Sequence, residues 1–277
     1  MQTPPPVILV HGFWHGSWCW SLVTEELADR GIASVAIDLP GHGLRAASPA
    51  TRWERPFHPG AYATEPSPLT EITATSSAVD LVSRIRRIGR GRPCVLVAHS
   101  MGGVAISAAA ELAPDLVAEI VYVTAFAPVT RSAAEYIALA ENDGGLVPGQ
   151  LRADPAQVGA LRIDPGDSAG HENLRQAFYN DLDNPAGALA LLSTDGPIGV
   201  ATERPTLTAE RFGSITHSYV VCTRDNAIRP ELQRLMIADI DELSLKPTTV
   251  TELDSAHSPF LSQPGRLADL IASAQGS

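Results

Sequence analysis

The sequence predicts an α/β fold: a mostly parallel central sheet flanked by helices and interrupted by a helical insertion. Three observations lead there. Short apolar runs at Val7–Val10, 94–97 and 218–222 are separated by stretches of helical period, the alternation expected of βαβ units. Cys94-Val-Leu-Val97 is continuously apolar and β-prone, as a parallel strand covered on both faces must be. From about 128 to 212 the alternation stops, and helical patterns occur without a convincing strand. The chain therefore divides into a first core part (1–127), an insertion (128–212) and a second core part (213–277).

Val7-Ile-Leu-Val10 lies between prolines and His11-Gly12, which suits a short buried strand ending in a turn. Trp18, Leu22 and Leu27 then recur at helical intervals, with Ser17 as the expected N-cap and Gly31 as the stop. A second strand, Ser34–Ile37, runs into the Asp38-Leu-Pro-Gly-His-Gly43 loop. Residues 44–69 are rich in Pro, Ser, Thr and Arg and contain Trp53, Phe57 and Tyr62. So long a loop either folds over a binding cleft or forms a surface excursion with locally packed aromatics. Helix is expected over 71–88, through Ile72, Leu81, Val82 and Ile85, with arginines near its end where the dipole favours cations. A helix over 101–112 and a strand within 119–125 follow, then insertion helices near 132–140, 172–182 and 185–192. Strand 218–222, helix 230–240, strand 248–253 and helix 261–274 complete the pattern.

With 277 residues, 44% hydrophobic and 18% charged, the chain can bury a substantial core and does not read as disordered. Its net charge of −11, with no Lys/Arg-rich run, repels a phosphate backbone, so nucleic acid is not an expected partner. Cys19, Cys94 and Cys222 lie far apart without a Cys-x-x-Cys pair, which indicates neither zinc nor redox chemistry. Residues 1–6 lack the charged region and apolar run of a signal peptide, and no run of about eighteen apolar residues occurs. A cytoplasmic protein without membrane contact is expected. A homodimer is compatible with the sequence, which does not decide oligomeric state.

Ala98-His-Ser-Met-Gly-Gly103 lies where the strongest strand meets a helix, the context of a nucleophile elbow. Ser100 can stand above the sheet edge there, with a helix N-terminus beneath it supplying backbone N–H groups. Ala98 replaces the usual first glycine and adds some crowding. A phosphate-binding loop would need a Gly-Lys-Ser/Thr ending, which is missing. His99 is assigned to packing. A neutral serine needs a general base, and of eight histidines His257 follows the last strand, at the edge where Ser100 lies. His42, His58, His171 and His217 fall in loops, the insertion or a strand start. A carboxylate must orient the base. Asp225, past strand 218–222, is better placed than Asp239, Asp241 or Asp254. His11-Gly-Phe-Trp-His-Gly16 follows the first strand, where the Phe13 N–H can join that of Met101 as an oxyanion donor. His11 and His15 are four apart, but the glycines make this a loop rather than a metal-binding helix. Neither metal nor cofactor is expected.

With these residues in place, the chain resembles the α/β-hydrolase superfamily over nearly its whole length. It is similar in particular to the branch of plant hydroxynitrile lyases, plant methylesterases and bacterial esterases. The likeness rests on His11-Gly-Phe-Trp-His-Gly-Ser-Trp18, Ala98-His-Ser-Met-Gly102, Thr223-Arg-Asp-Asn226 with Pro230-Glu231, and Ala256-His257. It implies Ser100, Asp225 and His257 as triad, Phe13 and Met101 as oxyanion hole, and 128–212 as a helical cap. Hydroxynitrile lyases carry a lysine after the catalytic histidine, whereas Ser258 stands here. Hydrolysis of a carboxylic ester or related acyl bond of a small apolar molecule is therefore the expected reaction. A lyase or cyclase acting on a specialised metabolite is the alternative, and a catalytically silent small-molecule binder a further one. Trp14, Phe126, Tyr136, Leu146 and Phe178 are candidates to line the substrate pocket or, alternatively, to fill the core.

Overall fold

In the computed structural model, which describes residues 4–274, four consecutive aliphatic residues form β1 (Val7–Val10), all fully buried. The reading of 1–6 falls partly on residues 1–3, outside the described residues. The first helical segment opens as a 3₁₀ turn, Ser17–Trp20, and continues as α1 (Ser21–Asp29). Ser17 is not its N-cap. Gly16 holds that position, and the Ser17 backbone N–H donates instead to the Asp38 carboxylate at 2.6 Å. After β2 (Ser34–Ile37), residues 44–69 hold more structure than expected: 3₁₀ turns at Gly43–Arg45 and Ala50–Trp53, and α2 (Pro59–Thr64) with proline in its first turn. Next, α3 (Ala74–Gly89) begins later than its apolar pattern suggests, because Thr73 and Ser76 cap it reciprocally.

The central elements are β3 (Cys94–Ser100), α4 (Gly102–Leu112) and β4 (Val117–Ala125). Residues 128–212 then supply α5 (Ala133–Ile137), α6 (Pro155–Val158), β5 (Ala160–Arg162), α7 (His171–Phe178), α8 (Ala186–Leu191), β6 (Asp195–Pro197) and α9 (Ile198–Thr202). The expectation that this region has no strand is corrected: β5 and β6 pair antiparallel. Three-residue strands are too short to display a period of two, and a buried ion pair between Arg162 and Asp195 joins them. The chain ends with β7 (Thr216–Cys222), α10 (Pro230–Leu243), β8 (Thr249–Leu253), α11 (Pro259–Ser262) and α12 (Pro264–Ala274). The expected single terminal helix is divided at Pro264, whose ring cannot continue the preceding hydrogen-bond ladder.

Six strands form one sheet in the order β2-β1-β3-β4-β7-β8, and every neighbouring pair is parallel. Alternate residues divide the core between its faces. Ile8, Val10, Leu96, Ala98 and Tyr122 pack under α3, α4 and α10, while Val7, Leu9, Val95, Val97 and Val123 pack under α1 and α12. The order reverses between β1 and β3, since β2 lies on one side of β1 and β3 on the other. In parallel α/β sheets the carboxyl edge at such a reversal is where loops separate and leave a crevice. No helix among the described residues is long and apolar enough to cross a membrane.

Candidate active site

Because all six strands run the same way, the loops leaving β1, β3, β7 and β8 emerge at one edge of the sheet, and these loops hold Phe13, Ser100, Asp225 and His257. Ser100 ends β3 with φ 51°, a left-handed conformation unfavourable for a side chain that has a Cβ. The chain behind it is tight: a Cβ on Gly103 would lie 1.9 Å from the Phe126 carbonyl oxygen, and the Phe126 N–H donates to the Ser100 carbonyl at 3.0 Å. Glycine at 103 is therefore a steric requirement.

His257 Nδ1 donates to Asp225 Oδ2 at 2.7 Å, and both side chains are buried. The other oxygen, Oδ1, accepts the backbone N–H groups of Ala227 at 2.6 Å and Ile228 at 2.9 Å, while Oδ2 also accepts the Thr124 hydroxyl. A carboxylate with this many donors is fixed in one orientation. Asp225 thus holds the turn before α10 as well as the imidazole. The other carboxylates considered are engaged elsewhere: Asp254 with Arg224, Asp239 with Tyr136 and Asp241 with Thr248.

The loop after β1 is held by histidines that the sequence presented only as a poor metal pair. The Leu39 N–H donates to His11 Nε2 at 3.0 Å, so the His11 proton resides on Nδ1 and is given to the Gly12 carbonyl at 2.7 Å. This contact pins the Gly12–Phe13 peptide, whose other end is the Phe13 N–H. His15 does the same one residue on, with Nδ1 donating to the Phe13 carbonyl at 3.0 Å and Nε2 accepting from the Tyr179 hydroxyl at 2.8 Å. All four ring nitrogens are used. Burial above all pushes both imidazoles down to about 3, so they stay neutral. Among the described residues no acceptor is found for the N–H of Phe13 or of Met101, two donors that remain available to a ligand.

Ser100, His257, Phe13 and Met101 line one narrow cavity with Trp14, His15, Phe126, Ile137, Val147, Leu161, Phe178, Ala227 and Ile228, in which about 20 Å³ is open to the centre of a water-sized sphere. Of the candidates, Trp14, Phe126 and Phe178 border this cavity and also pack in the core. Tyr136 does not line this cavity: its hydroxyl donates to Asp239 on α10 and its ring lies under Arg131, so its neighbour Ile137 faces the cavity instead. Val147 likewise takes the place expected of Leu146. No residue of 44–69 reaches this cavity. That segment walls a separate, wider groove through Arg52, Trp53, Arg55 and Phe57, which contains neither Ser100 nor His257.

Two further groups make contacts that the sequence does not show. Asp181, just after α7, accepts the Ala256 N–H at 2.9 Å and the Ser255 hydroxyl at 3.0 Å, tying the insertion to the loop of His257. His99 does more than pack, because its Nε2 lies 2.8 Å from the His257 carbonyl oxygen and donates to it. Both contacts join residues more than seventy positions apart, beyond the reach of any local pattern.

The chain belongs to the alpha/beta hydrolase family, which it matches over residues 7–270. Methylesterase 9 of Arabidopsis thaliana is 29% identical over 271 residues, covering 95% of this chain and 95% of that protein. Esterase PIR7B of Oryza sativa subsp. japonica is 30% identical over 281 residues, covering 95% and 93%. Among solved structures, a pyrethroid hydrolase from Sphingobium faniae JZ-2 superposes with a TM-score of 0.75 at 22% identity, over 99% of this chain and 98% of that one. At that identity the likeness is one of fold.

Proposed function

We propose that the protein is a carboxylesterase that cleaves a small, mainly apolar ester through an acyl-enzyme on Ser100. The observation that carries this reading is the 2.7 Å contact of His257 Nδ1 with the buried Asp225, in a cavity shared with Ser100 and the two free N–H groups of Phe13 and Met101. Ser100 Oγ attacks the ester carbonyl while His257 Nε2 takes its proton, and Asp225 stabilises the imidazolium. The carbonyl oxygen becomes negative and is received by the Phe13 and Met101 N–H groups. Collapse expels the alcohol, which leaves with the proton from His257. Water then enters, gives a proton to His257 and attacks the acyl carbon, and the acid departs as Ser100 regains its hydrogen. The names of the methylesterase and esterase relatives support ester hydrolysis, and a narrow apolar cavity suits a small acyl group. The position after His257 also favours hydrolysis over cyanide elimination, since it holds the buried, uncharged Ser258.

The test is a fluorophosphonate probe on the folded chain with a parallel esterase assay. Labelling of Ser100 and loss of ester turnover of at least about a thousandfold in Ser100→Ala are expected. Unchanged turnover in Ser100→Ala would sink the reading.

A further inference from the structure

After a first register shift at Cys94/Val95, β4 and β3 pair in register from Glu119 opposite Val95 to Val123 opposite His99, but the next pair joins Ala125 to Ser100. Thr124 is the extra residue of a β-bulge, placed beside the nucleophile and left out of the ladder. Its φ is 38°, where a β-branched residue is a genuine outlier, and its side chain is fully buried. Such strain persists only where the surroundings over-determine it. One polar contact of the bulge accounts for it: the Thr124 hydroxyl donates to Asp225 Oδ2, the same oxygen that accepts His257 Nδ1.

We propose that Thr124 is a positioning residue for the triad: the bulge in β4 turns its hydroxyl onto Asp225 Oδ2, fixing the carboxylate and setting how strongly it holds the His257 proton. The inference rests on the esterase reading given above. Oδ1 is held by two main-chain donors, whereas among the described residues Oδ2 has only the imidazole and this hydroxyl. Each donor draws negative charge from the oxygen it binds, so the Thr124 hydroxyl weakens the pull of Asp225 on the His257 proton. Without it the carboxylate favours the imidazolium more strongly, and His257 becomes a free base only at higher pH. The other titratable groups around the pair are His99 from β3, with its ring centroid 4.5 Å from that of His257, His15 from the loop after β1, Asp181 against the adjoining backbone, Tyr219 and Cys222 of β7, and Arg229, which donates to the Asp225 carbonyl. None of them touches Asp225 Oδ2.

The experiment uses the full chain and p-nitrophenyl acetate, assayed from about pH 5 to about pH 8 across the acid limb set by the base, with only those points counted at which circular dichroism shows parent and variant folded. Thr124→Val keeps the β-branched shape and loses only the hydroxyl. Its kcat is expected to fall about tenfold with KM unchanged, as for the loss of a hydrogen bond to a charged group. Its acid limb is expected to move up by about half a unit to one unit. Thr124→Ser, which retains the hydroxyl, is expected to stay within about twofold of the parent with an unmoved limb. A folded Thr124→Val with parental kcat and pH profile, or a Thr124→Ser variant as impaired as Thr124→Val, overturns the proposal. Should Thr124→Val not fold, Thr124→Ala against Thr124→Ser decides, and equal activity in that pair overturns it. Ser100→Ala is run beside them. If it remains active the triad reading falls together with this one, whereas an inactive Ser100→Ala beside an unaffected Thr124→Val removes only the role of Thr124.

Discussion

Ser100, Trp14 and Thr124 have φ values of 51°, 62° and 38°, and all three belong to the loops and strand ends around the cavity. The only other non-glycine residue with positive φ among the described residues is Arg90, which terminates α3. Backbone strain is thus concentrated at the end of the sheet that borders the cavity, where it aims side chains that regular strands would direct elsewhere. Gly12 supplies the space for this arrangement. A Cβ there would stand 2.5 Å from the Ser100 Cβ, closer than real Cβ atoms approach, and 3.1 Å from its Oγ. Either Ser100 or the loop carrying the Phe13 N–H must move to admit a methyl group. Gly12→Ala is expected to lower kcat/KM by about a hundredfold, the cost of an ångström-scale misplacement of reacting groups. The check is ester turnover together with fluorophosphonate labelling of protein whose melting temperature matches the parent. Parental kinetics would show that the loop yields freely.

At the scale of elements, what the sequence revealed depends on how local the signal is. β1 and β2 have the expected bounds because a few aliphatics between turn residues define a short strand completely. The order of strands and loops was enough to bring Ser100, Asp225, His257, Phe13 and Met101 to one edge, since parallel strands all end on the same side. The holding contacts of Thr124 and Asp181 left no local trace, because tertiary packing decides them, whereas His11 and His15 stand in the motif but their pinning of the loop depends on ring orientations fixed by Leu39 and Tyr179. The β5–β6 pair was missed for the same reason. Its stability rests on Arg162, whose guanidinium gives two hydrogen bonds of 2.8 Å to Asp195 and two more to the carbonyls of Tyr62 and Glu65 at the end of the 44–69 segment. Arg162 thereby fastens that segment to the insertion. Arg162→Met strands a buried carboxylate and is expected to lower unfolding free energy by about 3–5 kcal/mol in a urea titration. Adding Asp195→Leu should recover much of that loss, as apolar replacement of a whole buried pair often does. A single variant within about 1 kcal/mol of the parent would mean that water or another cation reaches Asp195.

For the molecule as a whole, the buried imidazoles set its response to acid. Burial is the leading cause that pushes His11 and His15 down to about 3, His42 and His217 down to about 4, and His99 well below its ordinary value. Four of them stand in two pairs beside the cavity, with ring centroids of His11 and His42 at 5.2 Å and of His15 and His99 at 5.5 Å. His217 lies apart, against Phe212 and Tyr122. In the unfolded chain each of these rings takes up a proton near pH 6.5, whereas in the fold it stays neutral until the pH is far lower. The unfolded state therefore binds more protons between those limits, so stability is fully present above about pH 6.5 and falls as the pH falls toward 4. Glu119 opposes this, because burial raises its carboxyl, but it is one group against five. Each histidine removes about 1.4 kcal/mol per pH unit, so three of them over two units remove about 8 kcal/mol, the scale of a typical net stability. Thermal melts from about pH 7.5 down to about pH 4.5 should accordingly show a steep fall in Tm beginning near pH 6.5, with uptake of more than two protons on unfolding near pH 5.5. A Tm that stays level to about pH 5 would show that these rings reach solvent or are already protonated in the fold.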